Sequence, residues 1–544
     1  MKKMKKLFCL LLVVSMMFSL IACGNKKESA ESDTTSNEGS KNTTDTSDTA
    51  DTNEDTSEPA ETAIDTSERA DLVFYVMGDA PTDEQVVEDA INEILLEKIN
   101  ATVDFQFSTW TDWSQKYNLE LTSGAADLIY VANWINYATL SNSGAFLELD
   151  DLISTYAPNV VSTYDQSLLD QLKVNGTLYG IPNSWPEYTV SGISYREDLR
   201  VKYNLPVPNS IENLEAYLLG IKQNDPAQGL LSTTTGESTG LQVAFDAANI
   251  LNLKYSWVTP NGLPYGLGAN YDTPSEVYDY WNSDDFAEDM KLMKKFADEG
   301  FWSRSALSDT NDSEAYNNGV CVAVVAGQNP NKNITAITNY AKDHPEWQSE
   351  YIAYGEVNGV IFPAHATQNA TAVVRGSKNP ERALMALDLM LTDKDLNDLV
   401  QYGIKGTHYD VDASGVYQNL SENFKYEGLN TWNLRNGDYK LPQASDTILN
   451  EMFAKYEELG NKTKFPNVNV FGGFAEDYSS YEVERSSVSD VMRQYLAPLQ
   501  AGLVDDVDAA VKEFREKVAD AGLATCQEEF KKQWAAYCES HAYK

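Results

Sequence analysis

Trp134 and Trp185 each stand beside side chains that hydrogen-bond in a plane: Asn133 precedes the first, Asn183 and Glu187 flank the second, and Tyr188 follows. A flat apolar ring bordered by amides and a carboxylate can stack on one face of a small ring and hold the polar groups at its edge. The carboxylate is the strongest acceptor of the set, because charge strengthens the bond. This is equipment for recognition. Equipment for catalysis is thin: the 544 residues include four histidines, and there is no HExxH, GxSxG, phosphate loop or zinc-type cysteine spacing. GLGANY, starting at Gly266, lacks the third glycine and the preceding strand of a dinucleotide loop.

The elements that position these residues follow from periodicity. LVFYVM, Leu72 to Met77, is a short apolar strand. Thr82 and Gln85 have capping-box spacing before an apolar face at helical period, Val86 to Leu95. TVDFQF alternates as a half-buried strand, Asp112 to Leu121 reads as a helix, and DLIYVA, Asp127 to Ala132, is an apolar strand. Strand, helix, strand, helix, strand at this spacing predicts parallel βαβ units, with ligands at the carboxyl ends of the strands. Those ends carry GDAP and NWINY, so Asp79, Asn133 and Trp134 face one crevice. A second α/β region follows: SGISYREDL, then a helix capped by Asn209 with Glu212, then the buried strand AVVAG ending at Gln328 and Asn329. TAVVRGSKNPERALMALDLMLTD gives a strand and a helix with Asn379 as cap and Pro380 in the first position. Beyond Tyr402 the pattern is mostly helical.

The chain ends and composition set the address. Four lysines precede the apolar run Leu7 to Ile21, which closes on LIAC, Leu20 to Cys23. The run is short for a membrane span and reads as a secretory signal. Its ending resembles a bacterial lipobox, with Cys23 as the lipidated mature N-terminus. From Gly24 to Ala70 the chain is mostly Ser, Thr, Asp, Glu, Asn and Ala and reads as a disordered tether spanning roughly 40 Å. The net charge of -41 argues against nucleic acid and against charge-driven docking on anionic lipid, and favours an uncharged partner. Cys321 reads as a small core hydrophobe. Cys526 and Cys538 fall on one helical stretch, about 18 Å apart in rise, too far for a disulfide.

SGAADLIYVANW (123 to 134), GAFLELDDLI (144 to 153), NGTLYGIP (175 to 182), the run 195 to 218, NNGVCVAVVAG (317 to 327) and the run 376 to 396 occur in an order and spacing that resemble the carbohydrate-type, family 1 extracellular solute-binding proteins of bacterial ABC importers. YGIKGTHY (402 to 409) and the ending from Leu503 to Tyr537 resemble the branch with a DUF3502-type C-terminal region. The resemblance implies an α/β, two-lobed, class II periplasmic-binding fold with an interlobe cleft. Residues 71–180 and 355–410 would form lobe 1, residues 181–354 lobe 2, and residues 411–544 a mostly helical region packing on the lobes. It further implies a monomer on the extracellular face of the cell membrane, with ABC permease subunits as partners and neither cofactor nor metal.

Within that resemblance GTLYGIP is the first crossing between lobes, with Gly180 and Pro182 as hinge residues; without it the stretch reads as a plain turn. A second crossing lies near Tyr351 to Gly355. Neutral sugars offer a C–H face and a rim of hydroxyls, so the implied site takes Trp134, Trp185 and Tyr188 as plates. Asp79, Asn133, Asn183, Glu187, Gln328 and Asn329 then hold hydroxyls. Asp79 also matches, by position, an acidic contact of related maltodextrin binders. Trp432 closes the cleft from the C-terminal region, and His365, in PAHATQNA, is a further contact. His408 reads as a loop-supporting hydrogen-bond partner, and VDDVD lacks the glycine and terminal glutamate of a calcium loop. A secreted glycoside hydrolase and a sugar-sensing partner of a membrane kinase are the rival readings.

Overall fold

The computed structural model describes residues 64–109, 113–188, 190–232, 247–308, 312–325 and 327–544. The expected signal segment, Cys23 and the tether up to residue 63 lie outside the described residues. Nine strands, numbered here in chain order, form the two main sheets. The first sheet contains β1 (Ala70–Met77), β2 (Ala101–Ser108), β3 (Leu128–Val131), β4 (Ile181–Pro182) and β9 (Ala370–Val373), in the order β2-β1-β3-β9-β4. The second contains β5 (Gly192–Arg196), β6 (Gly229–Ser232), β7 (Cys321–Val324) and β8 (Ser349–Ala353), in the order β8-β5-β7-β6.

The predicted βαβαβ start is present: β1 runs parallel to β2 and β3, with helices Glu84–Ile99 and Trp113–Ser123 as the connections. β9 then runs antiparallel to β3 and to β4. This is the arrangement of a sheet that the chain leaves and re-enters, the antiparallel strand being the returning one. In the second sheet β6 and β7 are parallel while β5 is antiparallel to β7 and β8.

Local details differ from the sequence expectations for identifiable reasons. β1 begins at Ala70, which is buried, and the Arg382 guanidinium binds the carbonyls of Asp65, Glu68, Ile99 and Asn100. Residues before Asp71 are therefore tied to the folded body. Thr82 and Gln85 do not form a capping box. The helix begins at Glu84, so Gln85 is inside its first turn and reaches forward to Glu88 and Asp89. The helix Ile211–Asn224 is capped by Ser210, whose extended backbone lets its Oγ accept from the Asn213 N–H at 3.1 Å; Asn209 lies one residue too early.

The C-terminal region divides between the sheets. Phe424, Leu429 and Leu434 join the core of the first sheet, while Val470, Phe514, Phe530 and Trp534 join that of the second. Between them the helix Asp446–Gly460 packs Tyr456, Phe453 and Met452 against Tyr188, Val190 and Ile361, on the segments that connect the two sheets. Cys321 is buried beside Tyr316 and Tyr340, and Cys526 and Cys538 lie on the single helix Leu523–Ser540. Among the described residues no helix is long and apolar enough to cross a membrane.

Candidate ligand cavity between the lobes

The chain leaves the first sheet at Asn183 and returns to it at Ala370, and the two connections lie side by side. Asn183 N–H donates to the Asn369 carbonyl at 3.2 Å, Ala364 N–H to the Glu187 carbonyl at 2.8 Å, and Ser184 N–H to the Arg435 carbonyl at 3.2 Å. Thr367 Oγ1 reaches the Gly472 carbonyl at 3.4 Å. The strip thus runs in the order 435, 184–187, 364–369, 472. Gly180 and Pro182, expected at the hinge, precede the strip: Pro182 pairs with Ala370 inside the first sheet, and a Cβ on Gly180 would sit 3.1 Å from the Thr371 carbonyl. Gly176 turns a two-strand hairpin with φ +90°. That part of GTLYGIP is a plain turn.

On the 435 edge of the strip the polar groups satisfy one another. Arg435 forks onto Glu427, with Nη2 to Oε2 at 2.9 Å, and its Nη1 lies 3.4 Å from Glu187 Oε2. Burial works against the guanidinium charge, but Glu427 and Glu187 outweigh it and hold Arg435 above its ordinary pKa. Glu187 also accepts from Asn369 at 3.3 Å and from Asn331, across in the second lobe, at 3.4 Å. The Trp185 ring carries Arg435 at 5.5 Å and Lys440 at 4.4 Å. Asn183 donates to the Trp432 carbonyl at 3.0 Å, and the Trp432 ring packs edge-on against Tyr130 at 6.2 Å. Burial, reinforced by Glu187, raises the Tyr130 pKa; its hydroxyl donates to Asn369 Oδ1 at 2.6 Å.

On the 472 edge lies a cavity of about 580 Å³, walled by both lobes and the C-terminal region. The first lobe supplies Asn133, Trp134 and the start of helix Tyr137–Asn142; the second supplies Trp257, Tyr265 and Trp281; the C-terminal region supplies Phe474, Glu476, Tyr478 and Arg485. The Asn133–Ile135 turn follows β3 directly, and Asn136 at φ +63° swings the chain into the next helix. Trp134 is wedged by Trp113 at 5.7 Å and Tyr130 at 6.1 Å. Trp257 stacks on Tyr255 with centroids 4.2 Å apart. Gly266, at φ +68°, brings the backbone so close to Trp281 that a Cβ there would lie 1.9 Å from the ring.

Glu476 is held by the hydroxyls of Tyr265 and Tyr481, the latter at 2.7 Å. Its carbonyl accepts from Thr139 Oγ1 at 3.1 Å, a bond between the first lobe and the C-terminal region at the cavity rim. Burial and then Glu476 raise the Tyr265 pKa, keeping that hydroxyl a donor. Among the described residues no group of three or more His, Cys, Asp or Glu is arranged to hold a metal.

Of the residues singled out in the sequence, Asn133 and Trp134 line the cavity. Asn183, Trp185, Glu187 and Trp432 meet at the opposite edge of the strip. Asp79 lies apart and is exposed, its carbonyl held by Asn430, which packs on Gly78. Tyr188 is consumed by packing on Phe453 and Tyr456. Gln328 is buried and accepts from Ser194 at 3.3 Å. Asn329 caps the helix Pro330–Asp343 through Lys332 N–H at 3.0 Å. His365 caps a short turn through Thr367 and abuts Gly472; burial lowers its pKa from 6.5 to about 4. His408 supports its loop, Nδ1 accepting from Ile404 N–H at 2.9 Å. The residues missed by sequence reasoning are Trp257, Glu476, Tyr478 and Arg485. NGLPYGLG, Asn261 to Gly268, where turn glycines flank Tyr265, is a signal for the wall that Trp257 shares, whereas Glu476, Tyr478 and Arg485 carry none.

Comparison with known proteins fits this architecture. The model of the bacterial extracellular solute-binding protein family matches residues 79–396, and a domain of unknown function, DUF3502, matches residues 470–539. A carbohydrate ABC transporter substrate-binding protein of Streptococcus pneumoniae is 23% identical over 82% of this chain and 87% of its own. The polygalacturonan/rhamnogalacturonan-binding protein YtcQ of Bacillus subtilis is 23% identical over 59% of this chain and 63% of its own. Among solved structures, the N-glycan transport solute-binding protein of Streptococcus pneumoniae, in complex with Man1GlcNAc, superposes with a TM-score of 0.67 at 19% identity, over 87% of this chain and all of that one. These solved neighbours have the class II periplasmic-binding fold, and so has this chain. With its family model matched from residue 79 to residue 396, the chain belongs to the bacterial extracellular solute-binding proteins.

Proposed function

We propose that the protein captures an oligosaccharide in the cavity between its lobes and presents it to the permease of an ABC importer. The observation that carries this is the cavity itself: about 580 Å³, lined from both lobes, with aromatic plates and a tyrosine-anchored carboxylate. Sugars need such plates for their C–H faces and such acceptors for their hydroxyls. The relatives, a carbohydrate ABC transporter substrate-binding protein and an N-glycan transport solute-binding protein, support the same class.

Capture proceeds by closure. The lobes, residues 70–182 with 370–410 and residues 191–353, rock about the Asn183–Val190 and Tyr354–Asn369 connections, and a ligand touching both walls stabilises the closed form. The Thr139 to Glu476 bond and the Asn331 to Glu187 bond are the contacts that closure makes. Trp134 is the plate on the first lobe and Trp257 with Phe474 form the facing wall. Cys23, lipidated, and the acidic tether hold the body at the outer face of the membrane. No step requires a bond in the sugar to break.

Calorimetric titration against a panel of oligosaccharides tests the reading. Saturable binding with a raised melting temperature and unchanged reducing ends is the expected result. Release of reducing ends marks a hydrolase, and a panel without any binder removes the carbohydrate assignment.

A further inference from the structure

We infer that the ligand is an acidic oligosaccharide, with a ring carboxylate that Arg485 reads; this rests on the cavity being the glycan site. Arg485 lies in the helix Glu482–Val491 and lines the cavity beside Tyr478, its guanidinium carbon 4.1 Å from that ring's centroid. Among the described residues no carboxylate forms an ion pair with it and no acceptor takes its side-chain N–H groups. Other arginines are spent within the protein: Arg196 on Asp198, Arg200 on Glu197 and Arg435 on Glu427.

The remaining charges at the cavity are also committed. Glu476 accepts from two tyrosine hydroxyls, and Lys173 pairs with Asp170 at 2.7 Å. Glu476 keeps its charge but its Oε1 is occupied by tyrosine hydroxyls, so among the described residues Arg485 is the cavity cation whose N–H groups are left for a ligand. A guanidinium is a planar fork of five donors that matches a carboxylate in bidentate fashion, and the Tyr478 face fixes its plane. Closing the lobes over a wholly neutral ring would leave the guanidinium N–H groups without a charged acceptor and away from water, whereas a uronate or sialyl carboxylate takes two of them. The overall acidity that pointed to an uncharged ligand acts at long range and is screened within about 8 Å at physiological salt. The contact charge decides the chemistry.

The test uses the purified chain and matched pairs of trisaccharides: galacturonate, mannuronate, guluronate and sialyl compounds, each beside its carboxyl-reduced form. At least one acidic member should bind about tenfold or more tightly than its reduced partner. Arg485→Gln should erase that ratio while retaining the wild-type melting curve, and Arg485→Lys should keep part of it. Equal or tighter binding of the reduced forms, or a ratio that survives Arg485→Gln, overturns the inference and leaves sugar capture standing. Absence of binding by every acidic and neutral sugar overturns capture and this inference together.

Discussion

Around Trp185 the chain gathers an arginine and two glutamates; around Trp134 it gathers three further tryptophans, an arginine and a glutamate. At the first place every charged group has a partner inside the protein, Arg435 lying between Glu427 and Glu187 with the indole beneath it. At the second, Glu476 is held by tyrosine hydroxyls, Arg485 lies on the Tyr478 face with no carboxylate paired to it among the described residues, and about 580 Å³ stays open. The same residue types therefore make a joint in one case and a receptor surface in the other. What separates them is whether the side chains meet each other.

The largest expected effect breaks the joint. Arg435→Ala leaves Glu427 and Glu187 buried without their counter-charge, and chemical denaturation should register a loss of about 3 to 5 kcal/mol. Gly266→Ala attacks the receptor wall instead. Its Cβ has no room beside Trp281 and the backbone stands at φ +68°, so a stability cost of about 1 to 3 kcal/mol is expected, with weaker ligand titration. Trp134→Ala should weaken sugar binding by about 1 to 3 kcal/mol in calorimetry. Trp185→Ala should lower the melting temperature and leave the binding constant within about twofold, because its ring serves Arg435 and Lys440. Equal binding losses in the two tryptophan variants would dissolve the distinction between joint and receptor.

The smallest effect is a pH response at the boundary of the two regions. Burial holds His365 neutral, with a pKa lowered from 6.5 to about 4, and Nδ1 takes the Thr367 N–H. The unfolded imidazole binds its proton at the higher pH. The stability this supplies is present above about pH 6.5 and is lost as the pH falls toward 4. Urea midpoints at about pH 7.5 and about pH 4.5 should differ more in the parent protein than in His365→Gln.

The fold was legible because its signals are local. β1 to β3 and their helices follow from periodicity alone, and the Asn379–Pro380 helix start appears where it was expected. The two-lobed plan came from the family resemblance. The cavity was half legible: Asn133 and Trp134 follow a buried strand, and that position delivers them to the cavity. Trp185 and Glu187 carry the same local signature, yet they meet Arg435, which lies some 250 residues further along. No local pattern announces that encounter. Arg485 was invisible for the converse reason, since an arginine in the first turns of a helix is ordinary until no neighbouring acid proves to pair with it.

The helix Asp446–Gly460 adds a mechanical consequence. It joins a C-terminal segment seated on one sheet to another seated on the other, so the polypeptide spans the gap a third time while bracing the other two spans through Tyr456 and Phe453. Two pins allow twist as well as swing; a third suppresses the twist. Under the proposed closure the halves would be left with a single door-like arc, each swing ending with the walls in the same register.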